Sequence, residues 1–222
     1  MFCDVIGHKA SLFYPRIHSM LSAKELSPEF LSRFFGIVDI MQMPNYVMHN
    51  ENAKGKDIGI WFDQPSTRTE LSFKRAIRQL GGNYIDINSS TLSTHKGEST
   101  EDTFAMLNNY VDALVIRSLG EKIFEKAGAF KKPIINAGNG NDEHPTQTLI
   151  DLYTIWKHFG HIDNLNWLTL GNTSRTIRSL CFAISGSESK VIFVINAGEK
   201  VDNEIVDWLD AKNIFWQTVY DI

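Results

Sequence analysis

Residues 58–80, IGIWFDQPSTRTELSFKRAIRQL, decide how the rest of the chain folds. The apolar run Ile58–Phe62 reads as a buried strand, and after Asp63-Gln64-Pro65 the polar cluster Ser66-Thr67-Arg68-Thr69 opens a helix. Phe73, Ala76, Ile77 and Leu80 recur at i, i+3, i+4 and i+7, while Glu70, Lys74 and Arg78 follow another face at i+4 steps. Gly81-Gly82 stops the helix. A helix that starts in Ser/Thr residues beside a fixed cation offers backbone N–H groups, hydroxyls and a guanidinium to one small volume, which suits a phosphate. Thr67-x-x-Glu70 equally fits a capping box, which would contribute only about 1 kcal/mol of helix stability. The stretch alone leaves both open.

The same strand-then-helix order recurs on either side. Upstream, a helix is predicted from Ser27-Pro28 to Met41, its broad apolar face formed by Phe30, Leu31, Phe34, Phe35, Val38 and Ile40. Downstream come a strand at Tyr84–Ile87, a loop from Asn88 to Gly97, a helix from Ser99 whose Phe104, Leu107 and Val111 recur on one face, and a strand Val111–Ile116 that ends at Arg117. A short helix Glu121–Ala129, a strand Pro133–Asn136, a loop Ala137–Glu143 and a helix Pro145–Phe159 follow. A second unit starts near Asn164, with strands at Trp167–Leu170, Val191–Ile195 and Phe215–Tyr220, and helices ending at Ala183 and spanning Asp202–Lys212. Alternating strands and helices, with nearly all-apolar strands, predict an α/β protein of two doubly wound domains with parallel sheets, the second incomplete. The expected division is 1–147 and 148–222. Ser66–Thr69, Thr94–Gly97, Arg117 and Asn136–Gln147 all follow strand carboxyl ends, where open α/β sheets bind ligands.

Composition narrows the function classes. The 222 residues are 43% hydrophobic with a net charge of -4, and no Lys/Arg block appears, so a nucleic-acid partner is not expected and phosphate recognition must be local. Cys3 and Cys181 lack paired spacing, which argues against a disulfide framework or a zinc site. No apolar run reaches 18 residues and no signal peptide is visible, so the expected location is cytoplasmic, away from membranes. His158 and His161 flank Gly160 at a helix end, where solvated polar residues are ordinary, and no metal is expected there. G-x-G-x-x-G is absent at Gly171, which weakens a nucleotide reading.

Ser66-Thr67-Arg68-Thr69 and His144-Pro145-Thr146-Gln147 resemble the two signatures of the aspartate/ornithine carbamoyltransferase family, and the resemblance runs from about Leu26 to Ile222. Asn136-Ala137-Gly138-Asn139-Gly140, the threonine in the second signature and Lys96-Gly97-Glu98 resemble the aspartate branch. The resemblance implies transfer of a carbamoyl group from carbamoyl phosphate to L-aspartate in pyrimidine biosynthesis, with no cofactor and no metal. It implies that Ser66, Thr67, Arg68 and Thr69 bind phosphate, and that Arg117 bridges phosphate and the carbonyl oxygen. Thr69 and His144 would donate to that oxygen, and Gln147 would hold the carbamoyl amide. Lys96 and a loop serine, taken as Ser93, would reach the site of a neighbouring subunit in a homotrimer, to which regulatory chains could attach. Arg175, with Lys96, would grip aspartate. Arg68, Thr69, Lys96, Arg117 and His144 are thus the catalytic set it implies.

Such chemistry needs placed donors and cations more than a nucleophile, because attack by an amine builds negative charge on the carbonyl oxygen and then on the departing phosphate. Glu70 stands where the family has a second basic residue, the Gly171–Arg175 loop is short for the aspartate branch, and the family's Arg-x-Gln substrate segment lies beyond Ile222. The carbamoyl-phosphate half is therefore expected to be nearly complete and the amino-acid half incomplete. The alternatives are a catalytically degenerate homologue that binds or scaffolds, and a transcarbamylase for another amino acid such as ornithine.

Overall fold

The structure, a computed structural model, describes residues 19–43, 51–88, 97–120, 123–184 and 188–221. Helix α1 is Pro28–Met41, capped by the Ser27 side chain at the Phe30 N–H. Strand β1 (Asp57–Phe62), helix α2 (Thr67–Gln79) and strand β2 (Asn83–Ile87) follow. Next come α3 (Thr100–Leu107), capped by Ser99, β3 (Ala113–Ser118), a 3-10 helix at Phe124–Ala129 and β4 (Ile134–Asn139). Helix α4 (Pro145–Phe159) leads to β5 (Asn166–Leu170), α5 (Arg175–Ala183), β6 (Lys190–Asn196), α6 (Asn203–Ala211) and β7 (Phe215–Asp221).

The strands form two wholly parallel sheets, ordered β2-β1-β3-β4 and β5-β6-β7, as the alternation of elements predicts. Strand alternation gives the first sheet a core on each face. Trp61, Ile87, Phe104, Leu114 and Ile116 fill one, and Ile60, Ile77, Val115 and Ala137 fill the other. Outside β4, the Met20 N–H donates to the Ile134 carbonyl (2.7 Å) and the Asn136 N–H to the Met20 carbonyl (2.9 Å), so residues beside Met20 line that edge.

Among the described residues, the second sheet is covered on one face. Trp167, Val191, Phe193 and Ile195 pack in the largest core with Leu31 and Phe35 of α1, Leu149 and Leu152 of α4, and Ile205 and Leu209 of α6. The opposite face presents Leu168 (62% exposed), Leu170 (72%) and Val219 (43%), where burial on both faces was expected from their apolar character. Helix α4 joins the two sheets: Phe35 packs on its Tyr153 and Trp156, and its first turn starts just after β4 and its loop.

Three elements differ from the sequence expectation. The segment predicted as a helix over 121–129 is 3-10 from Phe124, where Gly128 and the short span disfavour a full α-helix. Strand β4 continues to Asn139, through residues expected to form a loop. Helix α3 ends at Leu107, although the apolar spacing extends to Val111.

Candidate functional site

Strand β3 and the end of β4 place the central cation. The register passes from Ile116 opposite Asn136 to Ser118 opposite Asn139, so Ala137 and Gly138 together face Arg117. This bulge turns the Arg117 side chain along the strand ends. Gly138 has φ +121°, and a Cβ there would lie 3.0 Å from Arg117 Nη1, so only glycine gives both the conformation and the space.

Arg117 is 7% exposed, yet it pairs with no carboxylate among the described residues. Its Nη1 donates to the Ala137 carbonyl at 3.3 Å and lies 3.5 Å from His144 Nε2, while Nε is buried without a partner. Asp63, at the end of β1, is held elsewhere by Trp61 Nε1 (2.7 Å) and Ser118 Oγ (3.1 Å). Burial, then the Arg175 charge, lowers the guanidinium's pKa. Burying an unpaired guanidinium is costly, and an anion in the adjoining cavity would offset that cost.

Two helices aim their N-termini at this cation without using their own caps. Ser66 is the N-cap of α2, but its side chain accepts no capping hydrogen bond. Glu70 pairs instead with Lys74 at 2.7 Å, so the Thr67-x-x-Glu70 capping box does not form. That ion pair also compensates the negative charge next to the expected phosphate loop. His144 is the N-cap of α4, again without a side-chain capping bond. Ser27, Ser99, Ser174 and Asp202 do cap α1, α3, α5 and α6, so among the described residues the two α-helices without a side-chain cap are α2 and α4.

His144 is 7% exposed, its backbone N–H donates to Ser179 Oγ at 2.7 Å, and its Nδ1 lies 3.2 Å from Thr146 Oγ1. Burial, followed by the Arg175 and Arg117 charges, lowers its pKa to about 4, so the ring is neutral at pH 7. Gln147 Nε2 donates to Asp151 at 2.9 Å, and Arg175 Nη1 donates to the Gly140 carbonyl at 2.7 Å. Arg178, one turn after Arg175, bridges Asp142 of the same loop (3.1 Å) to Asp202 (2.6 Å) and Glu204 at the start of α6.

Ser66, Arg68, Thr69, Arg117, His144, Gln147 and Arg175 line one cavity of about 720 Å3. Thr67 is exposed on the first turn of α2 and does not line it. Ser93 and Lys96 lie outside the described residues. The cavity also takes in Ser72, Phe73, Ala76, Thr146, Ile150 and Thr176. Ser72, Phe73 and Ala76 follow Thr69 at i+3, i+4 and i+7, so the helical period contained that signal. Ala76, assigned by that period to the core-facing stripe, is exposed at the cavity instead.

A cavity with one buried guanidinium, two further arginines, a neutral imidazole and free helix N-termini can hold a phosphate and polarise a carbonyl oxygen. Among the described residues, no group of three His, Cys, Asp or Glu side chains is arranged to hold a metal. His161 Nδ1 lies 2.9 Å from the Asp163 carbonyl, and the His158 ring packs edge-on against Phe159.

Residues 18–157 match the family model for the aspartate/ornithine carbamoyltransferase carbamoyl-P binding domain. The chain is 38% identical over 177 residues to an aspartate carbamoyltransferase catalytic subunit of Methanococcus aeolicus, covering 78% of this chain and 56% of that protein. A Saccharolobus islandicus catalytic subunit is 38% identical over 216 residues, covering 93% of this chain and 69% of that one. The chain thus spans little more than half the length of the methanogen relative. Among solved structures, an aspartate transcarbamoylase from Trypanosoma cruzi in complex with aspartate and phosphate superposes with a TM-score of 0.80 at 26% identity, covering 91% of this chain and 68% of that one. The M. jannaschii catalytic subunit gives 0.78 at 32% identity, covering 90% and 68%. The signatures that frame the cavity, the order of strands around it and the extent of these matches agree, and the chain belongs to the aspartate/ornithine carbamoyltransferase family.

Proposed function

We propose that this chain binds carbamoyl phosphate at the carboxyl ends of β1, β3 and β4 and transfers its carbamoyl group to the amine of L-aspartate. The products are N-carbamoyl-L-aspartate and phosphate, a step of pyrimidine biosynthesis. The observation that supports this best is the buried guanidinium of Arg117, which has no carboxylate partner among the described residues and adjoins two uncapped helix N-termini.

The phosphate would rest on the first turn of α2, against Ser66, Thr67, Arg68 and Thr69. Arg117 would bridge the phosphate and the carbonyl oxygen, with Thr69 and His144 donating to that oxygen and Gln147 holding the amide. As the amine forms its bond to the carbonyl carbon, charge grows on the oxygen these donors face; the C–O bond to phosphate then breaks, and the amine proton leaves with the phosphate. Arg175, at the cavity wall on the second sheet's side, would bind an aspartate carboxylate. In the same proposal the protein is a cytoplasmic homotrimer in which Ser93 and Lys96 of a neighbouring subunit complete each site, open to regulatory chains. Its domains divide near residues 147 and 148, within the first turn of α4.

A carbamoyl-transfer assay with aspartate and, separately, ornithine tests this. We expect carbamoyl-aspartate from the 222-residue chain, lost on Arg68→Ala. Product only with ornithine would move the chain to the other branch, and no product with either amine, in a protein that still binds carbamoyl phosphate, would favour a binding subunit.

A further inference from the structure

The ring of His144 touches two side chains whose demands conflict. Its Nε2 lies 3.5 Å from Arg117 Nη1, and its Nδ1 lies 3.2 Å from Thr146 Oγ1. A guanidinium only donates, whereas a threonine hydroxyl donates or accepts. A neutral imidazole has one proton, so Arg117 and Thr146 compete to decide which nitrogen carries it.

The geometry favours Thr146. The contact to Arg117 sits at the outer limit for a hydrogen bond, and the contact to Thr146 is 0.3 Å shorter by the same two distances, 3.5 and 3.2 Å. Thr146 stands at the second position of α4, where the residue four earlier, Asp142, precedes the helix, so the usual helical carbonyl acceptor for a threonine hydroxyl is missing. His144 Nδ1 is the hydroxyl's one hydrogen-bond partner among the described residues.

We propose that Thr146 is a positioning residue whose hydroxyl donates to His144 Nδ1 and thereby keeps the ring proton on Nε2, the nitrogen that faces Arg117. Two donors, Nε2–H and Nη1–H, then point toward one place without satisfying each other. An acceptor oxygen between them takes both, and in the proposed reaction that oxygen is the carbonyl oxygen of carbamoyl phosphate. With the proton on Nδ1 instead, His144 would have nothing to donate there. The role of the tautomer in catalysis rests on the proposed function; the tautomer itself does not.

The test is two-bond 1H–15N correlation on the full chain labelled with 15N-histidine at pH 7.5, with and without inorganic phosphate, with His144→Asn identifying the ring among the seven histidines. We expect Nε2 protonated and Nδ1 unprotonated in both samples. Thr146→Val, which keeps shape and removes the donor, should move the proton to Nδ1, and Thr146→Ser should restore it to Nε2. In parallel, kcat should fall by about tenfold in Thr146→Val and recover in Thr146→Ser, with KM for carbamoyl phosphate changed by less than about twofold, since donation to the oxygen matters most in the transition state. A wild-type ring protonated at Nδ1, or the same tautomer in wild type and Thr146→Val, overturns the proposal. Absence of carbamoyl transfer by wild type counts against the proposed function and leaves the NMR result to decide the tautomer.

Discussion

At the scale of single residues, Arg117 and His144 carry opposite consequences for stability and binding. Arg117 is buried with no carboxylate partner among the described residues, so the fold bears the cost of an uncompensated charge. Replacing it with methionine should leave phosphate-free stability unchanged or higher by about 1 kcal/mol, and should abolish the rise in melting temperature that inorganic phosphate gives the wild type. Thermal melts across a phosphate titration check both. For His144, the ordinary pKa is 6.5 and the folded value is about 4. Between those values the unfolded chain takes up a proton that the folded chain refuses, so stability falls as pH drops from 6.5 toward 4. Glu143, pushed up by burial, contributes the opposite slope as pH rises from 4.5, and it is common to wild type and variant. Urea titrations should therefore show a shallower loss of stability on acidification in His144→Asn. The sequence made Arg117 legible, as a charge ending an apolar strand, and placed His144 before Pro145. It did not reveal that Arg117 faces a bulge, because Ala137 and Gly138 read as a loop.

At the scale of elements, helix N-termini separate stability from binding. Ser174 caps α5 through the Ile177 N–H, whereas Ser66 makes no capping bond on α2. Ser174→Ala should cost about 1 kcal/mol, while Ser66→Ala should cost no more than about 0.3 kcal/mol. The order reverses in phosphate binding, where Ser66→Ala should shrink the phosphate-induced melting shift and Ser174→Ala should not. Chemical denaturation with and without phosphate measures both. Helix starts at Ser27 and Ser99 were readable because serine before an amphipathic run has one local meaning. Thr67-x-x-Glu70 was ambiguous because its alternative partner, Lys74, is also within helical reach and additionally meets Asp86 of β2 at 2.7 Å, a contact that needs the fold.

At the scale of the whole molecule, the two sheets differ in what covers them. Leu168, Leu170 and Val219 lie together on the open face of the second sheet, in register through Ile192 and Val194 of β6. A contiguous apolar face promotes association, so the isolated chain should scatter light increasingly with concentration. Leu168→Thr with Leu170→Thr keeps strand propensity, and it should suppress that scattering while changing the melting temperature by no more than about 3 °C. Strand composition foretold the parallel sheets but not the bare face, because a buried and an exposed leucine are the same letter until the neighbouring layer is known. The largest core has a further consequence, which concerns the order of events during synthesis. It holds Leu31 and Phe35 in one cluster with Phe193, Ile205 and Leu209, and Lys24 pairs with Glu204, 180 positions away. A ribosome releases α1 and α4, whose Phe35, Tyr153 and Trp156 pack together, before it makes β6 and α6, so the largest core waits for its last members while the first sheet can already form. Folding should then proceed outward from the first sheet, and a nascent chain stalled before residue 190 should leave α1 and α4, whose shared core lacks β6 and α6, more open to proteolysis than the first sheet.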